Sequence, residues 1–448
     1  GDQLSPHPIG ALAHAPVPPS SCCYPIMPPV GALDGWERTV LDGCEEGPRW
    51  ADRGRERRWA QGREDGAGWT GERTAQGDGR EDGAGRLGGR TARAGWGRGR
   101  RRAVGVGALA WRVDDVAPAQ MEVVMTEQVR WGVLGAARIA RNAVIPAIRR
   151  VGAGEVVAVS SASGRAEAFA AEVGVARHYA SHDELLADDE VDAVYIALPN
   201  SEHARWTIAA ARAGKHVLCE KPIVQGIAEL DEVEEACRAA GVQLAEAFMY
   251  RHHPQLTRLR ELLDAGEIGE LVSVDAAFTF VQDRSEPLDI RLRPDLGGGS
   301  LNDIGCYPVD FLGWLTGQEP EEFGAVAHRL DNGADTRMSI AARYGTLTAN
   351  LHSSFDSAFR AGATLHGSTG SIALPDLFRP DLRDGNARVR IERDGQEPVE
   401  EVVAGDQYGL QVSRFAQRVA TGQPDPDGAA LSRRTAAMLE KIARATTP

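Results

Sequence analysis

The sequence predicts an α/β protein of two domains: one with a parallel, doubly wound sheet, followed by an α+β domain with a large, mostly antiparallel open sheet. Two observations lead to this prediction. In residues 126–248, short apolar runs alternate with helical patterns, which is typical of a parallel sheet with crossover helices. Residues 322–403 alternate as β-strands do and are broken by hairpin-type turns at residues 331–333 (Asp-Asn-Gly) and 394–395 (Asp-Gly).

The first domain, residues 126–248, is predicted from five strands that read as near-continuous apolar runs, as strands buried on both faces do. The predicted strands are residues 129–134, 156–159, 192–198, 217–219 and 243–247. The helices between them are predicted to end near 151 and to span 165–172, 202–213 and 227–240.

The second domain, residues 249–448, begins with a helix at about 256–263 and a strand at 271–280. A glycine triplet then leads into one internal helix, predicted at 301–315. After the antiparallel strands, two helices at about 409–420 and 429–445 finish the chain.

Residues 1–125 are predicted to be a disordered extension that is not part of the working protein. The Gly/Arg/Glu/Asp tract at 51–102 repeats itself and cannot bury enough apolar surface to offset chain entropy. Two functional alternatives stay open. An arginine-rich arm for nucleic acid is disfavoured because residues 1–120 hold 17 basic and 16 acidic side chains. An export signal at residues 101–119 is disfavoured because charged residues interrupt its apolar run.

Composition narrows the class of partner. The formal charge of −14 comes from residues 121–448, which hold 33 basic and 48 acidic side chains, and this argues against nucleic acid. No apolar run approaches the roughly 20 residues needed to span a bilayer. The six cysteines lack metal-site spacing and read as reduced thiols. We therefore expect a cytoplasmic protein without a metal, a membrane or a nucleic acid.

The end of the fourth strand of the first domain carries the most informative polar residues. The run Val217–Cys219 stops at Glu220, Lys221 and a proline, and ligands of open α/β sheets lie just beyond the carboxyl ends of strands. Lys221 is one of only three lysines in the chain, and the pKa of a lysine can be tuned for proton chemistry. The alternative is an ordinary surface lysine at a strand end.

The loop after the first strand predicts a dinucleotide site. A glycine followed by a helix start places backbone N–H groups and the helix dipole where they can hold a pyrophosphate. The second glycine of the usual pattern is replaced by Ala137, so the motif alone is weak. The predicted contacts in this loop are Gly135, Ala136, Ala137, Arg138 and Ile139.

The end of the second strand favours NADP, with NAD still possible. An enzyme that uses NAD usually carries an acidic residue here, and none is present in residues 160–165. Arg138 and Arg165 could neutralise a 2′-phosphate, with Ser160 and Ser161 as donors. Helix-capping serines and a solvated arginine explain the same residues equally well.

A third polar set follows the glycine triplet. Asp303 and Tyr307 are four residues apart and share one face if the segment is helical. A carboxylate and a phenol that face Lys221 could handle protons, because the amine would lower the pKa of the phenol. The alternative is a helix cap and a core tyrosine.

From about residue 127 onward the chain resembles the glucose–fructose oxidoreductase and inositol dehydrogenase (Gfo/Idh/MocA) family. The matching stretches are residues 132–140, 197–203, 220–222, 246–251 and 297–307. The resemblance implies a Rossmann domain, then an α+β domain that binds substrate and whose open sheet commonly mediates oligomerisation. It implies that Lys221 is catalytic, and its motifs add further cofactor contacts at Leu198, Pro199, Asn200, His203, Glu220 and Lys221 itself.

Many relatives carry a histidine where this chain has Tyr307. The chain is similar to the branch with glucose–fructose oxidoreductase, D-xylose dehydrogenase and dihydrodiol dehydrogenase, in which a tyrosine is the acid/base. We therefore expect a homo-oligomeric dehydrogenase that transfers hydride between NADP and a sugar or cyclic diol. In this interpretation Tyr307 is assisted by Lys221, and Asp303 orients the lysine. The alternatives are a cofactor-retaining sugar–sugar oxidoreductase and a non-catalytic dinucleotide-sensing regulator.

Overall fold

The structure, a computed structural model, describes residues 128–447, so the extension predicted for residues 1–125 lies outside the described residues. The first sheet has six strands: β1 (Arg130–Leu134), β2 (Glu155–Ser160), β3 (Arg177–Tyr179), β4 (Ala193–Ile196), β5 (His216–Cys219) and β6 (Leu244–Glu246). All are parallel, in the order β3-β2-β1-β4-β5-β6. This is the doubly wound order expected of the first domain.

Helices cover both faces of this sheet. They are α1 (Ile145–Val151), α2 (Ala166–Val173), α3 (His182–Leu186), α4 (His203–Arg212) and α5 (Ile227–Ala240). Alternate residues of a strand point to opposite faces. Accordingly, Leu218 lies in the core beneath α1 and α2, whereas Val217 and Cys219 lie in the core beneath α4 and α5.

Two short elements of the first domain are missing from the sequence prediction. Strand β3 has only three residues, Arg-His-Tyr, and is half exposed at the sheet edge, so it shows no apolar run. Helix α3 has five residues and depends on a capping box formed by Ser181 and Glu184. Elements this short carry too few residues to reveal a hydrophobic period.

The second sheet has eight strands and is mostly antiparallel. The strands are β7 (Leu271–Val281), β8 (Glu322–Arg329), β9 (Asp335–Tyr344), β10 (Leu347–Ser354), β11 (Asp356–Gly367), β12 (Gly370–Leu374), β13 (Asn386–Arg393) and β14 (Val399–Ala404). Their order is β14-β13-β12-β11-β7-β10-β9-β8, and only β7 and β10 pair in parallel. The predicted fold class is confirmed in both domains.

One face of the second sheet is covered and the other is open. Helices α6 (Gln255–Asp264) and α7 (Cys306–Thr316) pack against the covered face and share one hydrophobic core with it. Along β9, Met338 and Ile340 are buried in that core, whereas Ser339 and Ala341 between them are exposed. This alternation leaves an open face of small and polar side chains.

Two π-helical turns precede helices that the sequence predicts as continuous. The turns are Ala140–Val144, which leads into α1, and Leu301–Gly305, which leads into α7. Each following helix has a proline in its first turn, Pro146 or Pro308. A proline cannot donate to the carbonyl four residues before it and its ring clashes there, which a widened turn relieves.

The last two helices, α8 (Gln407–Thr421) and α9 (Pro426–Thr446), contact both domains. The ring of Phe415 in α8 lies 5.3 Å from that of Trp131 in β1, inside the core of the first domain. In α9, Ala436 joins the first domain's other core and Ile442 joins the core of the second. Helices α8 and α9 therefore connect the two domains through buried contacts.

Candidate active site

The carboxyl end of β5 brings Lys221 against the second domain. The ammonium Nζ of Lys221 donates to the backbone oxygen of Asp303 at 2.6 Å and lies 3.4 Å from Oδ1 of its carboxylate. The two side chains are 13% and 17% exposed, so little water screens the pair. Residues 82 positions apart in the chain are thus joined, as the sequence analysis expects of Lys221 and Asp303.

Both members of this pair are charged at neutral pH. Burial alone would lower the pKa of Lys221, but the negative groups around it, led by Asp303, raise that pKa above its ordinary value. Burial pushes the pKa of Asp303 upward, but Arg291 and Lys221 outweigh this effect and hold that pKa below its ordinary value. The site therefore presents an ammonium to any group bound beyond β5.

Tyr307 lies beside this pair in an unexpected orientation. Its side chain is buried among the rings of Phe248 and Phe278, with ring centroids 5.4 and 5.1 Å away. Its hydroxyl lies 3.5 Å from the sulfur of Met249. The ammonium of Lys221 sits over the face of the ring, 5.1 Å from its centroid, rather than at the hydroxyl.

The expectation that Lys221 lowers the pKa of Tyr307 is therefore wrong. Burial raises the pKa of Tyr307 well above its ordinary value, and the cation that opposes this rise is Arg379. Burial of the phenol is the main cause of the raised pKa, and the nearby Cys306, Glu220 and Asp303 raise it further. Tyr307 is consequently a neutral phenol over the physiological pH range, which suits a proton donor.

The predicted dinucleotide loop follows β1 and requires its glycine. Gly135 has φ of +103°, and a Cβ there would meet the backbone oxygen of Ala197 at 2.3 Å. Its N–H donates to the backbone oxygen of Ser160 at 2.9 Å. The next four residues, 136–139, are half exposed or exposed at the strand's carboxyl end. This close-packed, accessible loop fits a dinucleotide's pyrophosphate.

At the end of β2, the predicted polar residues form hydrogen bonds with neighbouring side chains. The hydroxyl of Ser160 is buried and lies 2.7 Å from Nδ1 of His182, so it faces the protein interior rather than a cofactor. Ser161 bonds to Ser163 at 3.0 Å, and Nε of Arg165 donates to the same Ser163 hydroxyl at 2.9 Å. The inward turn of Ser160 corrects its expected role as a donor to the 2′-phosphate.

The segment after β4 connects loops within the site. Asn200 donates its amide to the backbone oxygen of Gly297 at 2.9 Å, which joins the first domain to the glycine triplet. His203 is fully buried, and its ring nitrogens lie 2.8 and 2.9 Å from the backbone oxygens of Pro222 and Leu198. Burial lowers the pKa of His203, and these two carbonyl groups oppose that shift. The ring thus holds together the loop after β4, which contains Pro199, and the loop after β5.

Glu220 is a buried acid beneath the site. Its carboxylate accepts from the hydroxyl of Tyr195 and from the backbone N–H of Lys221, the latter at 3.3 Å. Burial raises the pKa of Glu220, while the Lys221 ammonium opposes the shift. These contacts fix the backbone that carries the lysine.

Several charged residues near the site are absent from the sequence prediction. Nε of Arg291 donates to Oδ2 of Asp303 at 2.8 Å. Glu246 accepts the N–H of Ile223 at 2.9 Å and pairs with the buried Arg251. Arg291 lies shortly before the glycine triplet, and this position is its only signal in the sequence. The position does not by itself indicate a site residue, because an arginine in a loop is ordinarily solvated.

Among residues 128–447, none of the helices is both long and apolar enough to cross a membrane. In the same range, no three His, Cys, Asp or Glu side chains are grouped so that they could hold a metal ion.

Known proteins match both domains. Residues 129–248 match the family described as "Oxidoreductase family, NAD-binding Rossmann fold", and residues 256–373 match the GFO/IDH/MocA C-terminal domain. D-xylose 1-dehydrogenase (NADP(+)) 2 of Haloferax volcanii is 39% identical over 295 residues, which are 65% of this chain and 90% of the relative.

Solved structures agree with this match. A 3-ketoreductase from Actinomadura kijaniata in complex with NADP and TDP-benzene is 33% identical, with a TM-score of 0.67 over 71% of this chain and 98% of the other. Variants of that enzyme with a tyrosine changed to phenylalanine or a lysine to alanine are also similar. An aldose-aldose oxidoreductase from Caulobacter crescentus is 25% identical, with a TM-score of 0.64 over 71% of this chain and 97% of its own. With its doubly wound first domain, its dinucleotide loop and its paired lysine and aspartate, the chain belongs to the Gfo/Idh/MocA family of NAD(P)-binding oxidoreductases.

Proposed function

We propose that the protein is an NADP(H)-preferring oxidoreductase that interconverts a carbonyl group and a secondary hydroxyl on a sugar or a cyclic diol. The observation that carries this proposal is the Lys221 ammonium, which Asp303 holds at the carboxyl end of β5 between the two domains. A charged donor at that position can bind the oxygen of the reacting group. The xylose dehydrogenase and the 3-ketoreductase, both similar to this chain, support a sugar as substrate.

In the direction of reduction, the loop after β1 would hold the cofactor, and its nicotinamide would supply the hydride that the carbonyl carbon accepts. The carbonyl oxygen, bound by Lys221, gains electron density as the C–O double bond becomes single. The Tyr307 hydroxyl then gives its proton to that oxygen, for which it has to turn away from the sulfur of Met249, and the tyrosine is reprotonated after the product has left. The raised pKa of Tyr307 fits this role because a neutral phenol is the form that donates. The solved variants of the similar 3-ketoreductase change a tyrosine or a lysine, which are the two residue types that carry the proposed mechanism here.

The preference for NADP rests on the end of β2. No carboxylate is present in residues 160–165, whereas Arg165 there and Arg138 in the first loop are exposed. Two guanidinium groups can neutralise a 2′-phosphate, and an acid would repel it. The NADP in the names of the similar proteins supports the same choice.

A single substitution tests the cofactor preference. Ala162→Asp places a carboxylate on an exposed residue after β2. We expect NADP to bind more weakly through charge repulsion and NAD to bind more tightly, because the new carboxylate can accept from the ribose hydroxyl. Steady-state kinetics with both cofactors measure the change, and Ala162→Asn controls for size. A wild-type enzyme that uses NAD as well as NADP would contradict the assignment.

A panel of substrates tests the reaction itself. Aldoses, keto sugars, nucleotide-linked sugars and cyclic diols are each mixed with the protein and NADP or NADPH, and absorbance at the nicotinamide band is followed. We expect turnover of at least one sugar or diol, faster with NADP(H) than with NAD(H). No absorbance change across the panel, with cofactor binding intact, would refute the proposed activity.

The second candidate is an oxidoreductase that retains its cofactor and shuttles hydride between two sugars. The similar aldose-aldose oxidoreductase favours it. In that case a nicotinamide should copurify with the protein, resist dialysis and be reduced by one sugar and reoxidised by another. A cofactor that exchanges freely on dialysis would contradict it.

We also propose that the protein forms homo-oligomers in the cytoplasm. The open face of the second sheet supports this, because it exposes Val326 next to Ser339, and also Thr348 and Asn350, over three neighbouring strands that a second copy could cover. The buried free thiols of Cys219, Cys237 and Cys306 suit a reducing compartment. Light scattering after gel filtration should give a multiple of the chain mass, and a monomeric mass would contradict the first part.

A further inference from the structure

The loop between β7 and the glycine triplet carries a cation that the proposed mechanism does not use. Nε of Arg291 donates to Oδ2 of Asp303 at 2.8 Å, while Lys221 takes the backbone oxygen and Oδ1 of the same residue. The two oxygens of one carboxylate are therefore divided between two cations. Arg291 is about one-third exposed, so this contact is partly shielded from water.

Arg291 is itself held from the other side. Oδ1 of Asp289 accepts from the backbone N–H of Arg291 at 3.0 Å and from its Nη1 at 3.2 Å. The second oxygen of Asp289, Oδ2, lies 3.6 Å from Nη2 of Arg138 in the dinucleotide loop. The Arg138 side chain is 72% exposed.

These contacts form a chain of alternating charge that crosses between the domains twice. It runs from Lys221 through Asp303, Arg291 and Asp289 to Arg138. Its inner end is the proposed catalytic pair and its outer end is the proposed cofactor loop.

We propose that Arg291 is a positioning residue for Lys221 and Asp303, and that Asp289 couples this pair to the cofactor loop through Arg138. The inference rests on the proposed function. A guanidinium bonds in a fixed direction, whereas an ammonium is a point charge. Arg291 therefore fixes the orientation of the Asp303 carboxylate, which in turn fixes Lys221.

Asp289 also changes how strongly Arg138 attracts the cofactor. Its carboxylate partly neutralises Arg138, which is then less attractive to a phosphate group. A bound phosphate competes with Asp289 for Arg138. Cofactor binding therefore releases Asp289 to bond more fully with Arg291, two residues further along the chain.

Substitutions at Arg291 test the positioning role. Arg291→Met should lower kcat up to about 100-fold with little change in the KM for NADPH, because a catalytic group is misplaced rather than lost. Arg291→Lys should recover part of the loss, since it restores the charge without the fixed direction. A purely structural role would lower the melting temperature of both variants instead.

The chain offers a matched control two residues away. Arg293 likewise pairs with an aspartate two positions away, Asp295, but that pair is exposed. Arg293→Met should leave kcat and the pH profile unchanged. Normal kcat in Arg291→Met, beside an inactive Lys221→Met, would overturn this inference alone. Normal kcat in Lys221→Met would instead refute the proposed function.

The coupling is tested by cofactor affinity, measured as the fluorescence change on titrating NADPH. Asp289→Asn should tighten NADPH binding roughly threefold, as expected for loss of one partly exposed ion pair. In an Arg138→Ala background the same substitution should have no effect on affinity. Equal effects in both backgrounds, or no tightening in the first, would overturn the coupling.

Discussion

At the scale of single residues, two effects set the charges in the site. Compensation by Asp303 keeps Lys221 charged although it is buried, and burial keeps Tyr307 neutral. A buried ammonium without a partner would lose its proton instead. The site is therefore a paired cation beside a neutral acid, an arrangement suited to carbonyl reduction.

Tyr307→Phe tests the proposed acid. The change removes one hydroxyl and keeps the ring that packs on Phe248 and Phe278. We expect kcat to fall by about 10² to 10⁴, the usual worth of a positioned acid or base. Lys221→Met should cost a similar factor, and the double variant should be scarcely worse because the two act together. Steady-state kinetics measure this, and near-normal kcat in Tyr307→Phe would return the phenol to a packing role.

The pH profile follows from the directions of the pKa shifts. A group that works in its protonated form is fully active below its pKa and loses activity as the pH rises through it. Because the pKa values of Lys221 and Tyr307 are both raised, carbonyl reduction should stay level through neutral pH and fall only above about pH 10. The measurement is kcat for reduction against pH. A fall in kcat centred near neutral pH would show that the pKa of Lys221 or of Tyr307 is lowered in the complex with cofactor and substrate.

At the scale of elements, strand ends and loops do the positioning. The sequence predicts the longer helices of both domains, the longer strands of the first domain and strand β7 within a few residues, because each shows a clear hydrophobic pattern. For residues 322–403 it predicts antiparallel strands without the bounds of each strand. It misses β3 and α3, and it does not show the π-helical turn that carries Asp303. These depend on neighbouring contacts rather than on a periodic pattern of their own.

Gly135→Ala tests the dinucleotide loop. Gly135 has a positive φ, and a Cβ added there would clash with the backbone oxygen of Ala197. Gly152 has φ of +66°, but a Cβ added there would meet open space. Gly152→Ala should therefore cost only the strain of a left-handed residue, about 1–2 kcal/mol. Gly135→Ala should cost more and should also weaken NADPH binding. Denaturant unfolding and NADPH titration measure both, and equal effects of the two variants would contradict the close approach.

At the scale of the whole molecule, α8 and α9 return from the second sheet to the first domain. The core of the first domain is completed by Val412, Phe415 and Ala416 from α8. The two domains therefore share buried surface, which keeps the charge chain from Lys221 to Arg138 in place.

Phe415→Ala tests this shared packing. The ring is 2% exposed and contacts Trp131, so its loss should lower the free energy of unfolding by about 3–5 kcal/mol. Phe359 is 52% exposed and provides the matched control, for which we expect a much smaller loss. Chemical denaturation measures both, and a small loss at Phe415 would show that α8 is not part of the core.

The sequence alone determined the fold class and the family and selected Lys221, Asp303 and Tyr307 as candidate site residues, because these depend on local periodicity and on motifs of adjacent residues. The tertiary structure decided which of their atoms meet. It placed Lys221 over the ring of Tyr307 rather than at its hydroxyl, turned Ser160 inward to His182, and brought Arg291 to Asp303. Those contacts depend on packing between segments that are far apart in the chain. The pKa values depend on burial and on neighbouring charges, and neither can be derived from the order of residues along the chain.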